Sequence, residues 1–248
     1  MRPTLLIPIF DHKDEIGGVV ESLRPAGLPC LIIDDGSSSA TRAVLDRIEA
    51  EHAWVEIHHR RRNGGRGAAL KTGYREAFAR GYSHALQLDA DGQHEADDVP
   101  RFLKAMAGDP GAMVLGEPRF DETVPRSRLY GRQLSRVVVW MATLSFDIVD
   151  PLCGFRGIPL VPTLDLLDRF ALGDHMEFDP ELVIALHRRG VPVRSVPTRV
   201  VYGRHGLSHF DLVRDNLRLS GMYARSLAGL FWRIPARILT RARPREAS

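Results

Sequence analysis

Apolar residues gather in short blocks along the first half of the chain: TLLIPIF (4–10), PCLIIDD (29–35), WVEIHH (54–59), HALQLD (84–89) and GAMVLGE (111–117). Short β-rich blocks of this kind, set apart by polar and glycine-containing segments, read as strands. Between them, spacings of three and four recur at Val44, Leu45 and Ile48, at Leu70, Tyr74, Ala77 and Phe78, and at Val99, Phe102, Leu103 and Met106. That is the period of a helix with one buried face. The alternation predicts an α/β domain, a mostly parallel central sheet covered by helices on both faces. Ligands of such sheets bind beyond the carboxyl ends of the strands. The second and fourth blocks end in aspartate, so Asp34-Asp35 and the Asp89/Asp91 pair are expected at that edge.

The second half is less regular. A helical stretch at about 128–146 leads to DPLCGFRGIP (150–159), a short helix, GDHMEFDPE (173–181) and a helix to about Arg189. VPVRSVPTRVVYG (191–203) reads as one or two strands, with Pro197 at an edge or bend. No linker, repeat or low-complexity segment interrupts residues 1–210, which are expected to form one domain. Residues 211–248 are expected to form an amphipathic tail: Phe210, Val213, Leu217, Ser220, Ala224, Leu227, Phe231, Ile234 and Ile238 recur at helical spacing, with Pro235 placed to kink or end the helix.

Charge supports that division. Residues 211–248 carry eight arginines against Asp211, Asp215 and Glu246, leaving 26 basic and 28 acidic residues for 1–210. The whole excess of positive charge therefore lies in the tail. An apolar stripe edged by arginines suits the surface of an anionic membrane, whereas a basic tail without interleaved aromatics or a known motif makes nucleic acid a remote partner. The other reading of the tail is a helix packed on the core or on a second subunit. No uncharged run exceeds VVVWMATLSF (137–146), well short of the ~20 residues of a membrane-spanning helix. The amino terminus reads as a first strand rather than a signal peptide. Cys30 and Cys153 lack metal-type spacing and fit a reducing compartment. A cytoplasmic protein, peripheral on the inner face of the membrane, is the expectation.

The candidate chemistry starts at LQLDADGQHEADD (86–98). Residues two apart on a strand point the same way, so Asp89 and Asp91 can present two carboxylates together if the extended backbone continues past the strand. Gly92 lets the chain turn, and Gln93 can add a neutral oxygen. Hard oxygen donors of this kind suit Mg²⁺ or Mn²⁺. A solvated or capping turn is the plainer alternative. An EF-hand loop is excluded because its sixth position would be His94 rather than glycine. A phosphoaspartate enzyme fits poorly, since Gln93 follows DADG and the strand is the fourth. In DDGSSS (34–39) one aspartate suffices for a ligand, while the serines can cap the next helix. RRRNGGRGAALKTG (60–73) offers a glycine turn, basic residues and a helix start, the parts of an anion site or of a solvated loop. CGFRG (153–157) and YGRHGLSHF (202–210) each pair glycine with arginine.

In order, IPIFDHKDEI, LIIDDGSSS, NGGRGAALKTG, LQLDADGQHEADDVPRF, DPLCGFRG and GRHGLSHF resemble inverting family 2 glycosyltransferases of the GT-A fold, particularly those similar to polyprenyl- and dolichyl-phosphate sugar synthases. The likeness runs from residue 4 to about 210. The spelling of LPCLIIDDGS, DADGQH, LSFDIVDPLCGFR and GVPVRSVPTRVVY is similar to bacterial glycosyltransferases encoded with aryl-polyene or xanthomonadin-type genes. The resemblance implies a nucleotide pocket at Pro8 and Phe10, a base contact at Asp35, a nucleotide-side cation at Arg66, and a metal at Asp89, Asp91 and Gln93. It implies acceptor or donor phosphate contacts at Arg156, Arg204, Ser208 and His209. Asp11-His12 replaces the usual Asn-Glu, Cys153 replaces serine, and His209 replaces lysine.

The implied reaction moves a sugar from a nucleotide-diphosphate donor to a lipid-linked acceptor, a polyprenyl phosphate or a lipid hydroxyl. A phosphate acceptor arrives anionic and needs only positioning cations. A hydroxyl needs a base, for which Glu177 and Asp179 are the candidates; both also read as ordinary acids at a helix start. The alternative is a catalytically silent GT-A-like module that binds a lipid or partner. The departures at Asp11-His12 and His209 favour it, and the intact Asp89, Asp91 and Gln93 oppose it.

Overall fold

A computed structural model describes residues 1–120, 126–200, 211 and 213–231. Seven strands form one sheet in the order β3-β2-β1-β4-β6-β5-β7: β1 Pro3–Ile9, β2 Cys30–Asp34, β3 Val55–His59, β4 His84–Gln87, β5 Met113–Phe120, β6 Arg156–Pro159 and β7 Val193–Val200. β6 runs antiparallel to both its neighbours, and the other pairings are parallel. All five expected strands of the first half are present. VRSVPTRV, Val193–Val200, forms the outer strand β7, which explains how Pro197 is tolerated. β6 is an addition: RGIP, expected as part of a phosphate-binding segment, is a central strand.

Alternation along β1 divides the core. Leu5, Ile7 and Ile9 face one side, where they join Val20 of α1 (Ile16–Leu23), Leu45 of α2 (Ser39–Glu51) and Phe102 of α4 (Val99–Gly108). Leu6 faces the other, with Leu70 and Tyr74 of α3 (Arg66–Ala79), Val139 of α5 (Arg126–Thr143), Leu166 of α6 (Leu160–Arg169) and Leu182 of α7 (Phe178–Arg188). Burial on both faces is what makes β1 and β2 continuous apolar runs.

α8 (Arg214–Phe231) belongs to this body rather than to a separate tail. Its Leu219 and Met222 are buried in the same core as Leu6 and Val139, and Arg188 Nη2 donates to Ser226 O at 2.6 Å. The buried face is Asp215, Leu219, Met222 and Ser226, whereas Val213, Leu217, Ser220 and Ala224 face outward. Phe210, Ile234 and Ile238 lie outside the described residues, as do Arg204, Ser208 and His209. Among the described residues no helix is long and apolar enough to cross a membrane.

Candidate active site

The register brings the carboxyl ends of four parallel strands to one edge: Ile9 is opposite Asp34, Asp34 opposite His59, and Leu6 opposite Gln87. Because β6 runs the other way, its first residue, Arg156, lies opposite Gln87, the last of β4. The segments leaving β1 to β4 and entering β6 therefore meet at a single edge.

Asp89 follows β4 by two residues. The backbone turns at Ala90-Asp91 instead of staying extended, and Gly92 takes φ +71°, which a side chain would resist. Asp91 Oδ1 then accepts the Gln93 N–H at 3.0 Å. Asp89 is wedged against the β6 approach, since a Cβ on Gly154 would sit 2.1 Å from Asp89 Oδ2. Its Oδ2 also lies 3.4 Å from His94 Nε2, while its Oδ1 lies 2.5 Å from Arg66 Nη2. That last contact is an ion pair without hydrogen-bond alignment, so Oδ1 is buried with no directed donor.

Arg66 opens α3 and reaches two carboxylates. Its Nε donates to Asp179 Oδ2 at 2.6 Å while Nη2 meets Asp89. Asp179 Oδ1 takes Gln87 Nε2 at 3.3 Å and faces Arg156 Nη1 at 3.1 Å, and the Tyr74 hydroxyl donates to Gln87 Oε1 at 2.6 Å. Burial would raise the Asp89 carboxyl, but Arg66 and then His94 outweigh it and hold it far below the usual range. Asp179 is likewise held low, burial being overcome by Arg66 and Arg156. Asp91 goes the other way: burial, and then the negative charge of Asp89, raise it. For Arg66, burial is outweighed by Asp179 and Asp89, which keep it charged. The edge thus holds two firmly anionic carboxylates, Asp89 and Asp179, and a third, Asp91, that resists ionising.

The structure corrects the expected role of Arg156. It is fully buried, with Nε donating to Cys153 O at 2.5 Å, Nη1 to Asp179 O at 2.8 Å and Nη2 to Pro151 O at 2.7 Å. Its guanidinium ties the 151–153 segment to the start of α7, and leaves no face for an acceptor phosphate.

Asp35 is also committed. Gly64 N–H and Gly65 N–H donate to it, the latter at 2.8 Å, and Arg60 pairs with its Oδ1. A nucleobase N–H would have to share or displace these donors. Asp34 is buried as an internal cap, with Oδ1 accepting Ser37 N–H at 2.8 Å and Oδ2 facing His59 Nδ1 at 2.8 Å. The capping expected of the serines is done by aspartates: Asp11 Oδ1 accepts Ser38 N–H at 2.9 Å and Thr41 Oγ1 at 3.0 Å, securing the start of α2. Pro8 and Phe10 bracket the carboxyl end of β1, next to this capped turn.

The two base candidates differ. Asp179 has both oxygens engaged. Glu177, the residue before α7, is 6% exposed, and its Oε2 has no hydrogen-bond partner among the described residues. Neither cysteine is a nucleophile, because burial pushes both thiols up to about 12. A cavity of ≈ 240 Å³ lined by Thr4, Cys30, Trp54 and Arg80 lies at the opposite, amino-terminal end of β1 to β3 and takes no part in this site.

Sequence reasoning found Asp89, Asp91, Arg66 and Asp179 singly but missed that one guanidinium joins two of the carboxylates. It also missed His94 as the neighbour of Asp89, and Gly154 as the residue whose missing side chain makes room for Asp89. The one available signal for Gly154 was a glycine beside a cysteine and a phenylalanine that turn out to be buried.

No three His, Cys, Asp or Glu side chains cluster tightly enough among the described residues to hold a metal alone. The donor set still fits a hard cation. Asp89 and Asp91 supply carboxylate oxygens, Asp89 Oδ1 lacks a directed donor, and Asp91, raised by burial and then by the charge of Asp89, is a group that a bound cation would help to ionise.

Residues 4–161 match the glycosyl transferase family 2 model. The chain is 27% identical over 212 residues to an undecaprenyl-phosphate mannosyltransferase of Micrococcus luteus, covering 81% of this chain and 84% of that one. It is 23% identical over 222 residues to a UDP-N-acetylglucosamine–dolichyl-phosphate N-acetylglucosaminyltransferase of Methanococcus voltae, covering 82% and 87%. Among solved structures, glucosyl-3-phosphoglycerate synthase of Mycobacterium tuberculosis, in complex with Mn²⁺ and UDP-glucose, superposes with a TM-score of 0.66 at 18% identity, covering 93% of this chain and 78% of that one. The shared architecture is the GT-A fold, and with the family model spanning well over half its length, the chain belongs to glycosyl transferase family 2.

Proposed function

We propose that the protein transfers a sugar from a nucleotide-diphosphate sugar to a polyprenyl-phosphate-type acceptor, using a divalent cation held by Asp89 and Asp91. The observation that carries the reading is the unequal carboxylate pair at the end of β4: Asp89 ionised against Arg66, and Asp91 held back by burial and then by Asp89. Such a pair gains most from one more positive charge. The M. luteus relative is named for an undecaprenyl-phosphate acceptor, and the M. tuberculosis neighbour holds Mn²⁺ with a sugar nucleotide, which supports both halves of the proposal.

When bound, the cation supplies countercharge to the leaving diphosphate as the glycosidic bond opens. The chain's own residues do the rest. Asp89 and Asp91 would hold the metal, with Gln93 beside them. Arg66 keeps Asp89 anionic and ties it to Asp179, which in turn is fixed by Gln87 and Arg156, so the carboxylates are preorganised rather than mobile. Asp179, held ionised and fully hydrogen-bonded, is a poor proton acceptor. That favours an acceptor that is already an anion over a hydroxyl needing a base. Attack from the face opposite the leaving group inverts the anomeric carbon. Arg204, Ser208 and His209 remain the proposed acceptor-phosphate contacts.

The test is a thermal-shift screen of UDP-, GDP- and TDP-sugars with and without Mn²⁺, followed by incubation of the stabilising donor, radiolabelled, with polyprenyl phosphate. Metal-dependent stabilisation and a chloroform-soluble labelled product are expected. Absence of both with every donor would refute the proposal.

A further inference from the structure

Arg60 and Asp35 lie along the carboxyl edge from the Asp89/Asp91 pair. In the order β2-β1-β4, with neighbouring strands about 4.8 Å apart, the end of β2 is roughly 10 Å across the sheet from the end of β4. On the β6 side of β4 the way is closed, because Asp89 abuts Gly154. A nucleotide whose diphosphate is held at Asp89 and Asp91 therefore runs its nucleoside over β1 toward β2, and its base arrives at Asp35.

The carboxylate waiting there is held unequally. Asp35 is 3% exposed. Gly65 N–H donates to Oδ2 at 2.8 Å, Gly64 N–H is shared between the two oxygens at 3.1 and 3.2 Å, and Arg60 pairs with Oδ1. The main chain of Arg60 is pinned, its N–H donating to Asp34 O at 2.8 Å and its O accepting Arg42 Nη2 at 3.0 Å. Its side chain is 21% exposed and lies over Gly64, where a Cβ would meet Nη2 at 2.8 Å. Oδ2 is thus fixed by main-chain donors, and Oδ1 is covered by a side chain free to swing aside. An incoming base gains one acceptor and finds the displaced guanidinium beside it as a donor.

Space and donor count select the base. The turn after β2 presses on the loop after β3, since a Cβ on Gly36 would lie 2.5 Å from Arg62 C and Asn63 N. That closes the β3 side of Asp35 and leaves a slot suited to one ring rather than two. Guanine also brings two adjacent N–H donors, which call for both carboxylate oxygens. Uracil and thymine bring one ring N–H beside a carbonyl oxygen, matching one carboxylate oxygen and one guanidinium. Cytosine sets a ring lone pair where that N–H stands, facing an acceptor-only group.

We infer that Arg60 sets the base of the donor: it covers Asp35 Oδ1 in the free protein, yields it to the ring N–H of uracil or thymine, and then donates to the neighbouring carbonyl oxygen. The inference rests on the donor site proposed above and narrows it to uridine or thymidine diphosphate sugars.

Calorimetric titration of the full chain in Mn²⁺, with pyrophosphate and with UDP, TDP, CDP, GDP and ADP, tests it. Pyrophosphate has no base and reports the Asp89/Asp91 end alone. UDP and TDP are expected to bind at least about tenfold tighter than the other three nucleotides, the effect of one unmatched hydrogen bond to a charged group. Arg60→Met keeps the stem and removes the donors; it is expected to weaken UDP about tenfold and to leave pyrophosphate binding unchanged. Two analogues probe the parent chain without any substitution. One is UDP methylated at the ring N–H, and the other is UDP with hydrogen in place of the carbonyl oxygen remote from the sugar attachment. Both should fall to the level of CDP. The inference is overturned if CDP or GDP matches UDP, if Arg60→Met keeps the parental preference, or if the analogue lacking the carbonyl binds as UDP does. Pyrophosphate binding with no preference among bases refutes the role of Arg60 alone. Failure of pyrophosphate and of every nucleotide to bind refutes the donor site itself, and the inference with it.

Discussion

One guanidinium, that of Arg66, spans two carboxylates: Nη2 lies 2.5 Å from Asp89 Oδ1 and Nε 2.6 Å from Asp179 Oδ2. Removing it would leave two largely buried anions facing each other. Breaking a buried ion pair from one side costs about 3–5 kcal/mol, so Arg66→Gln is expected to lower unfolding stability by roughly that amount in urea titrations. Adding Asp179→Asn to Arg66→Gln should recover part of the loss, because the second change removes one stranded charge. Equal stability of Arg66→Gln and the parent would show that the bridge is not structural.

The carboxyl of Asp91 is raised by burial and by Asp89, so the folded state binds its proton more tightly than the unfolded chain does. Stability from this group is therefore fully present below the unfolded carboxylate pKa and is lost as pH rises through the folded value. Asp91→Asn removes that loss. In metal-free buffer the variant should melt higher than the parent at pH 7, and the advantage should fade toward pH 4. Mn²⁺ should stabilise the parent and leave the variant unmoved. A variant that melts lower at pH 7 would contradict the charge reading of the pair.

Arg156 separates two accounts of the same residue. As a phosphate ligand, its replacement by lysine would raise the acceptor KM in a normally stable protein. Buried as it is against Cys153 O, Pro151 O and Asp179, Arg156→Lys cannot reproduce three divergent donors, and a stability loss of about 3 kcal/mol or more is expected. Denaturant midpoints measured beside acceptor KM values distinguish the two.

What the sequence disclosed depended on how local the signal was. The first four strands were legible because each is an apolar run ended by a polar turn, and Asp89 and Asp91 because a parallel sheet sends its ligand residues to the carboxyl edge. β6 was hidden: RGIP has an arginine, a glycine and a proline in four positions, and it is a strand only because Arg156 is neutralised by Asp179 inside the core. Arg66 and Asp179 stand 113 residues apart, a separation over which no periodicity carries. On α8 the helical period was read correctly but the buried face was misplaced. Asp215 and Ser226 are polar yet buried, Asp215 being satisfied by the Asp211 N–H at 2.9 Å and Arg218 at 3.2 Å.

Gly154 offers a test of preorganisation that leaves every charge in place. A methyl group there would meet Asp89 Oδ2 at 2.1 Å, and the carboxylate has little room to retreat, with Arg66 on one oxygen and His94 on the other. Gly154→Ala should therefore shift Asp89 rather than abolish it. Displacements of the order of 1 Å at a reacting centre cost about 100-fold in rate, and a fall of about that size in kcat/KM is expected, with a weakened Mn²⁺ dependence. Because Ala and Gly differ by one methyl, the melting temperature measured without metal should change much less than in Arg66→Gln. A Gly154→Ala enzyme with parental kinetics and metal dependence would mean that the position of Asp89 beside the β6 approach does not matter to transfer.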